Sequence, residues 1–266
     1  MIFFTLVRRS LSRHRAIVAG LTVLLSGFQL LLVVIAANLQ RDGLFSQLAA
    51  LVPPFIQEVM GGSFAVSFGG TIALGFFHPV VMLSLSCAAI YLASEPAGEV
   101  EEGLVDLVLA RPVPRHLMVT RSVFVYAGVT AFIVLMMFLA NRGALRWLAP
   151  AGADVPAARL WWVALNLLAV VWCFGAAALV LAARVRRRAT AAGAAALAAV
   201  FLYLLQFAAA AWAPLRPIGR ISPFHYYEAL RTLLGMGTPA RDIALLLSAT
   251  MAFLVVAYAS YLHRDL

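Results

Sequence analysis

Six long apolar runs constrain the fold of this chain more than any other feature of its sequence. Each reaches about 20 residues, the length that a helix needs to cross the hydrocarbon core of a bilayer. None of them contains an aspartate or a glutamate. Helices are the expected form, because lipid offers no hydrogen-bond partner to an unpaired backbone group. The predicted spans are residues 16–38, 71–94, 119–139, 160–183, 191–212 and 243–262.

The composition agrees with this prediction. Hydrophobic residues make up 64 % of the chain and charged residues 12 %, whereas soluble domains are nearer to half apolar and a quarter charged. The sequence therefore predicts an all-α membrane protein, with residues 1–266 forming a single transmembrane domain. The net charge of +9 is assigned to loops at a membrane surface, so no nucleic-acid partner is expected.

The positions of the basic residues predict the orientation of the spans. All twenty are arginines. Twelve fall on the N-terminal segment, the connections between spans 2 and 3 and between spans 4 and 5, and the C-terminal segment. Because basic loops stay in the cytoplasm, we expect a multi-pass protein of the inner (plasma) membrane with both termini cytoplasmic. The cluster at residues 184–188 also suits contact with anionic lipid.

The sequence offers little for catalysis. A chain without lysine cannot carry a P-loop. The five histidines are scattered on different segments, with no carboxylate at metal-ligand spacing. The spans also lack the acids that a proton relay needs, which argues against an ion-driven carrier. We therefore expect no catalytic residue, no metal site and no cofactor in this chain.

A few polar residues do occur within the spans, and they have two possible roles. Hydrogen bonding between packed helices is the favoured interpretation for any one of them. If a substrate pathway runs along a subunit interface, the candidates to line it are Gln29, Asn166 and Gln206. A lining this apolar would suit a hydrophobic or amphipathic substrate.

Two segments outside the spans have helical patterns. Residues 1–15 alternate apolar and basic side chains, which predicts an amphipathic helix lying at the inner leaflet before the first span. Between spans 5 and 6, Ser222 and Pro223 are typical of a helix start and Gly235 of a helix stop. This pattern predicts a short helix at the outer interface.

An acidic segment at residues 95–115 interrupts the apolar sequence between spans 2 and 3. Five of the eleven acidic residues lie within twelve positions there. If residues 98–110 form a helix, spacings of four, three and four residues place four carboxylates on one face, beside an apolar stripe. These four are Glu95, Glu99, Glu102 and Asp106. Such a helix suits a groove on a soluble partner; the alternative is a solvated loop that keeps acids away from the membrane.

At these residues the chain resembles a known family, the type-2 ABC transporter permeases. Their loop between the second and third spans commonly reads Glu-x-Glu-x-Gly-Thr-Leu, then a Leu-rich turn, then x-Pro-Val-Ser-Arg. The corresponding residues here are Glu99, Glu101, Gly103, Leu104, Leu107, Leu109, Pro112, Val113 and Arg115. Leu104 replaces the usual threonine, and Pro114 replaces the serine. Residues 222–227 and 77–79 are also similar to segments of this family.

The resemblance implies a permease subunit of an ABC exporter. It would pair with a second permease subunit, identical or different, and with a cytoplasmic ATP-binding cassette ATPase that holds ATP and Mg. Residues 1–15 would be its elbow helix, and the acidic segment its coupling helix. The residues that would contact the ATPase are Glu99, Glu101, Glu102, Gly103, Leu104, Asp106, Leu107, Arg111, Pro112 and Arg115. The alternatives are a membrane assembly or sensor subunit that moves no substrate and, less favoured, a secondary carrier.

Overall fold

A computed structural model describes residues 2–51, 66–103, 114, 116–150 and 155–263. Within these ranges all regular secondary structure is helical. Six helical segments are long and apolar enough to cross a membrane, which confirms the predicted all-α, six-span architecture. These are α1 (Ile2–Arg41), α3 with α4 (Phe68–Phe77, Pro79–Ala93), α6 (His116–Leu148), α7 (Ala157–Arg184), α8 (Arg188–Ala211) and α11 (Pro239–Leu262). The shorter helices are α2 (Leu44–Leu51), α5 (Glu95–Glu101), α9 (Arg216–Gly219) and α10 (Ala229–Leu234).

Helix α1 is much longer than a single membrane span. Its 40 residues extend about 60 Å at 1.5 Å per residue, twice the thickness of the hydrocarbon core. The predicted amphipathic helix at residues 1–15 is not a separate element, because α1 continues through it without a break. Neither glycine nor proline occurs there to end the helix, and Ser10 and Arg13 bind the rest of the protein.

The second span is divided in two at His78 and Pro79. His78 adopts an extended conformation with ψ 134° between α3 and α4, as expected for a residue that precedes proline. Its Nδ1 accepts a hydrogen bond of 3.3 Å from the backbone N–H of Val80. The side chain thus caps the start of α4, where a helix leaves backbone donors without partners.

Helix α7 lies at the centre of the structure. It packs against α4, α6, α8 and α11, and its membrane-spanning part is the most buried of the six. The contact with α6 is close at Gly175, where an added Cβ would lie 2.7 Å from the ring of Tyr126. A small residue at this position therefore allows two spans to approach each other, as is common for helices packed within a membrane.

The connection between α8 and α11 consists of short helical pieces. The predicted helix over residues 222–235 is in fact a 3-10 turn at Pro223–Tyr226 followed by α10. Its start and stop are as predicted: the hydroxyl of Ser222 accepts the N–H of Phe224, and Gly235 has a φ of 78°. In an unbroken helix the carbonyl of Tyr226 would accept a hydrogen bond from the next turn. Here it accepts one from the amide of Asn166 in α7, and the helix is divided at this point.

The turn at residues 222–226 inserts between the spans. The hydroxyl of Ser222 donates to the carbonyl of Leu202, 2.9 Å away, and the amide of Asn166 donates to the carbonyl of Tyr226, also at 2.9 Å. Leu202 and Asn166 each lie nine residues from the end of their helix that is nearer this connection, or about 14 Å along the axis. Irregular backbone at such depth is stable only when protein supplies its hydrogen bonds.

Aromatic packing holds the same turn in place. Phe224 is buried between Phe174 of α7 and Tyr203 of α8, with ring centroids 4.9 and 5.4 Å away. Such tilted and edge-to-face pairs stabilise beyond the area they bury. The turn therefore separates α8 from α11 on the surface of α7.

Candidate functional site

The acidic segment begins as a short helix that follows the second span directly. Ser94 ends α4 and also precedes α5, which begins at Glu95. Helix α5 ends at Glu101, and Gly103 has a φ of 68°, a left-handed conformation that glycine adopts without strain. The predicted helix over residues 98–110 therefore starts three residues earlier and does not continue through Gly103. The predicted contact residues Leu104, Asp106, Leu107, Arg111, Pro112 and Arg115 lie outside the described residues.

Glu95 is buried at the start of α5, with a residue exposure of 3 %. The hydroxyl of Ser10 in α1 donates a hydrogen bond to its Oε2. A guanidinium nitrogen of Arg121 lies 3.8 Å from the same oxygen, and Nε2 of His14 lies 3.9 Å from the other. A buried carboxylate needs such partners, because leaving water without them is costly.

Arg121 pairs more closely with Glu99, one turn along α5. Its two terminal nitrogens lie 2.6 and 2.9 Å from the two carboxylate oxygens of Glu99. This two-bond geometry fixes the angle between the groups as well as their distance. The Arg121 side chain is only 3 % exposed, so one buried cation of α6 holds two carboxylates of α5.

A more exposed pair joins the end of α5 to α1. Arg13 donates to Glu102 at 2.7 Å, and both side chains are 45 % exposed. The hydrogen bond from Arg13 is the largest influence on the Glu102 carboxyl, and it lowers the pKa below its ordinary value. Desolvation opposes this shift, and the positive charges of Arg13, Arg188 and Arg9 add to it. Water screens an exposed pair of this kind, so it contributes much less than the buried one.

Glu101 binds the first turn of α8. It accepts the backbone N–H of Arg188 at 3.0 Å, which satisfies a free donor at the helix start and places negative charge beside the positive end of the helix dipole. The Arg188 side chain turns back to donate to the carbonyl of Tyr91 at 2.9 Å and lies 3.9 Å from the centre of the Tyr91 ring. Gly98 permits this path, since an added Cβ would lie 3.1 Å from Arg188 Cδ.

We call these contacts the acidic cluster: Glu95, Glu99, Glu101 and Glu102 with Ser10, Arg13, His14, Arg121 and Arg188. It ties α5 to α1, α6 and α8, which belong to the first, third and fifth spans. The predicted acidic stripe is therefore not an open face at Glu95, Glu99 and Glu102, since each contacts an arginine of this chain. From the sequence, these arginines were interpreted only as signals of membrane orientation, and no function was predicted for Ser10 or His14.

Two of the three candidate pathway residues take part in helix packing. Gln29 is fully buried; its amide nitrogen donates to the carbonyl of Gly75, and its oxygen accepts from Asn141 at 3.0 Å. Asn166 is buried and holds the carbonyl of Tyr226. Asn141 was missed because the predicted third span ended at residue 139, whereas α6 continues to Leu148.

Gln206 differs from the other two candidates. It is half-buried on α8, and its side-chain oxygen is buried with no hydrogen-bond partner among the described residues. Gln29, Asn166 and Gln206 thus have different surroundings, and no hydrogen bond joins them in the part of the chain that the structure describes.

Comparisons with known proteins do not assign this chain to a family: no protein-family model matches it, and no curated protein matches it. Its function is therefore inferred from the acidic cluster, the six apolar helices and the sequence motif that overlaps α5.

Proposed function

We propose that this chain is the membrane-spanning permease subunit of an ATP-driven ABC exporter. A separate cytoplasmic ATP-binding cassette ATPase would bind at α5 and residues 104–115, and a second permease subunit would complete the transporter. The observation that carries the proposal is the acidic cluster, which joins the segment with the Glu-x-Glu-x-Gly motif to three spans.

The cluster is suited to transmit movement. A force on residues 104–115 would reach α5 through Gly103, and α5 cannot shift without moving its partners on α1, α6 and α8. The Arg121 contacts would persist during such a shift, because separating the pair would leave buried charges without partners. Helices transmit the displacement as rigid elements along their length.

ATP and Mg would bind on the partner, because this chain has no lysine for a P-loop. It would itself catalyse no reaction. The contact residues proposed for the ATPase are those of the motif. Glu101, Glu102 and Gly103 are exposed and can meet a partner directly, whereas Glu99 would act through its pair with Arg121. The cytoplasmic position of both termini and of α5 belongs to the same proposal, which the arginine distribution supports.

The first experiment is co-purification of the tagged full chain in mild detergent from its native membrane. We expect an ATP-binding cassette ATPase in stoichiometric amount, and ATP turnover by the complex after reconstitution in vesicles. A complex that contains an ATPase but moves no substrate would support the sensor or assembly alternative. A chain that co-purifies with no ATPase would overturn the proposal.

Exchanging the charges of Glu102 and Arg13 then distinguishes two roles of Glu102, namely contact with the ATPase and pairing within this chain. E102R should reduce both the Tm of the chain and the recovery of the ATPase, since it places two cations together. E102R/R13E restores an opposite-charge pair within the chain and should recover the Tm. If the ATPase remains absent from the double variant, Glu102 contacts the partner; if it returns in full, Glu102 serves only to position α5.

A further inference from the structure

A cavity of about 430 Å³ lies between α7, α8 and α11, below the inserted turn. Residues 173–181 of α7, 195–202 of α8 and 245–253 of α11 contribute its walls. Its volume falls in the range of small-molecule sites, roughly 300–1,000 Å³. Each wall segment rises about 10–12 Å along its helix, so the cavity is elongated along the direction in which the spans run.

The walls are almost entirely apolar. They are formed mainly by alanine, leucine and phenylalanine side chains, which offer no ligands to a hydrated ion or a sugar. Among the described residues that line the cavity, Arg220 is the only charged one. It is exposed, and no ion pair or hydrogen bond of its side chain occurs among the described residues.

The cavity is open at the outer surface of the helices. Three lining residues beside the opening are well exposed, namely Ile221, Leu245 and Phe253. In a membrane this surface faces acyl chains, so a lipid can enter sideways between α8 and α11. An apolar slot with one unpaired guanidinium at its end complements a molecule with an apolar tail and an anionic head.

We propose that this cavity binds an anionic phospholipid of the bilayer. One acyl chain lies in the slot between α7, α8 and α11, and the phosphate accepts hydrogen bonds from Arg220. A guanidinium matches phosphate because it presents parallel donors and is weakly hydrated. The inserted turn positions it, since Ser222, two residues further on, is bound to α8. The site depends on the membrane-spanning helices alone and not on an ATPase partner.

The test is native mass spectrometry of the purified full chain in detergent micelles. The protein is titrated with phosphatidylglycerol or with phosphatidylcholine that carries the same acyl chains. Both lipids carry a phosphate, but the cationic choline of phosphatidylcholine repels the Arg220 guanidinium, so we expect phosphatidylglycerol, whose net charge is negative, to bind about tenfold more tightly. R220Q should remove this preference. R216Q is the matched control, because Arg216 is exposed on the same connection but does not line the cavity.

A second pair of variants tests the acyl-chain slot. A198F fills the cavity from α8 and should weaken binding of both lipids, whereas A194F, one turn away on an exposed position outside the lining, should not. Both variants should keep the wild-type Tm, since neither alanine is buried. The proposal would be overturned if wild type bound the two lipids equally. It would also be overturned if R220Q and R216Q lost the same lipid preference, or if A198F and A194F bound lipid with the same affinity.

Discussion

Arg121 is the residue on which the acidic cluster depends most. Its buried guanidinium contacts both Glu95 and Glu99. R121Q would leave two carboxylates without their cation in a site that water hardly reaches. We expect a loss of about 3–5 kcal/mol, the usual cost of an unpaired buried charge, measured as a lowered Tm of the purified protein in detergent.

The partner substitution provides the control. E99Q in the R121Q background removes one of the two carboxylates that R121Q leaves unpaired, and it should recover part of the loss in Tm. R186Q should leave the Tm unchanged, because Arg186 is exposed. A wild-type Tm in R121Q would show that the pair does not stabilise the fold.

The ion pair between Glu102 and Arg13 should make the stability of the protein depend on pH. Its pKa in the folded protein lies below the ordinary value of 4.5, chiefly because Arg13 donates a hydrogen bond to it. A lowered folded pKa means that the pair stabilises the protein above the unfolded pKa, and that this contribution is lost as the pH falls through the folded pKa. The Tm of E102Q should therefore lie below that of wild type at neutral pH, and the difference should disappear once the pH has fallen below the lowered pKa of Glu102.

Sequence patterns predicted which residues of this cluster are unusual but not what they contact. The spacing of Glu95, Glu99 and Glu102 predicted one acidic face. In the structure Glu95 and Glu99 share Arg121 of α6, whereas Glu102 follows the end of α5 and pairs with Arg13 of α1. Periodicity within one helix carries no information about a cation on another helix. Arg121 follows 22 residues after Glu99, and its location in the first turns of α6 was attributed to topology alone.

At the scale of elements, the turn at residues 222–226 and the short helices around it form an irregular connection between two spans. Gly219, at the end of α9, faces Ala209 of α8, and an added Cβ would lie 2.6 Å from the Ala209 methyl group. G219A should therefore push α9 from α8 and destabilise the protein by about 1–3 kcal/mol, the usual cost of overpacking.

G193A on α8 is the matched substitution, because no atom lies within 4 Å of its added Cβ. It should leave the Tm unchanged or slightly raised, since alanine favours helix over glycine by about 1 kcal/mol. Thermal unfolding of both variants, followed by circular dichroism in detergent, measures the difference. Equal Tm values would show that α9 is not packed against α8.

The helices differ in how well their bounds could be predicted from the sequence. Long apolar runs located all six spans, because length and the lack of charge are sufficient signals for a membrane helix. A separate amphipathic helix at residues 1–15 is not confirmed, because α1 runs without a break from Ile2 to Arg41 and no glycine or proline separates the basic segment from the apolar one. The inserted turn depends on hydrogen bonds from Asn166 and Ser222, which no local pattern reveals.

At the scale of the whole molecule, the connections between the six spans lie at two opposite ends of the helices. Helix α5 and the α7–α8 connection lie at one end, as the contact between Glu101 and Arg188 shows; α9 and α10 lie at the other. In variants lacking Cys87 and Cys173, R186C should react with an impermeant maleimide only after the cells are opened. R216C should react in intact cells. The reverse pattern would contradict the proposed orientation.

The unbroken length of α1 has a mechanical consequence. Gln29 is held on both sides, by Gly75 and Asn141, and so provides a fulcrum. Arg13 lies 16 residues before it, about 24 Å, and Arg41, which binds the Leu148 carbonyl, lies 12 residues after it, about 18 Å. A sideways pull at Arg13 would swing Arg41 in the opposite direction through about three quarters of the distance. If α1 moves as a rigid body about Gln29, a displacement at one end of the helix would therefore produce an opposed displacement at the other end.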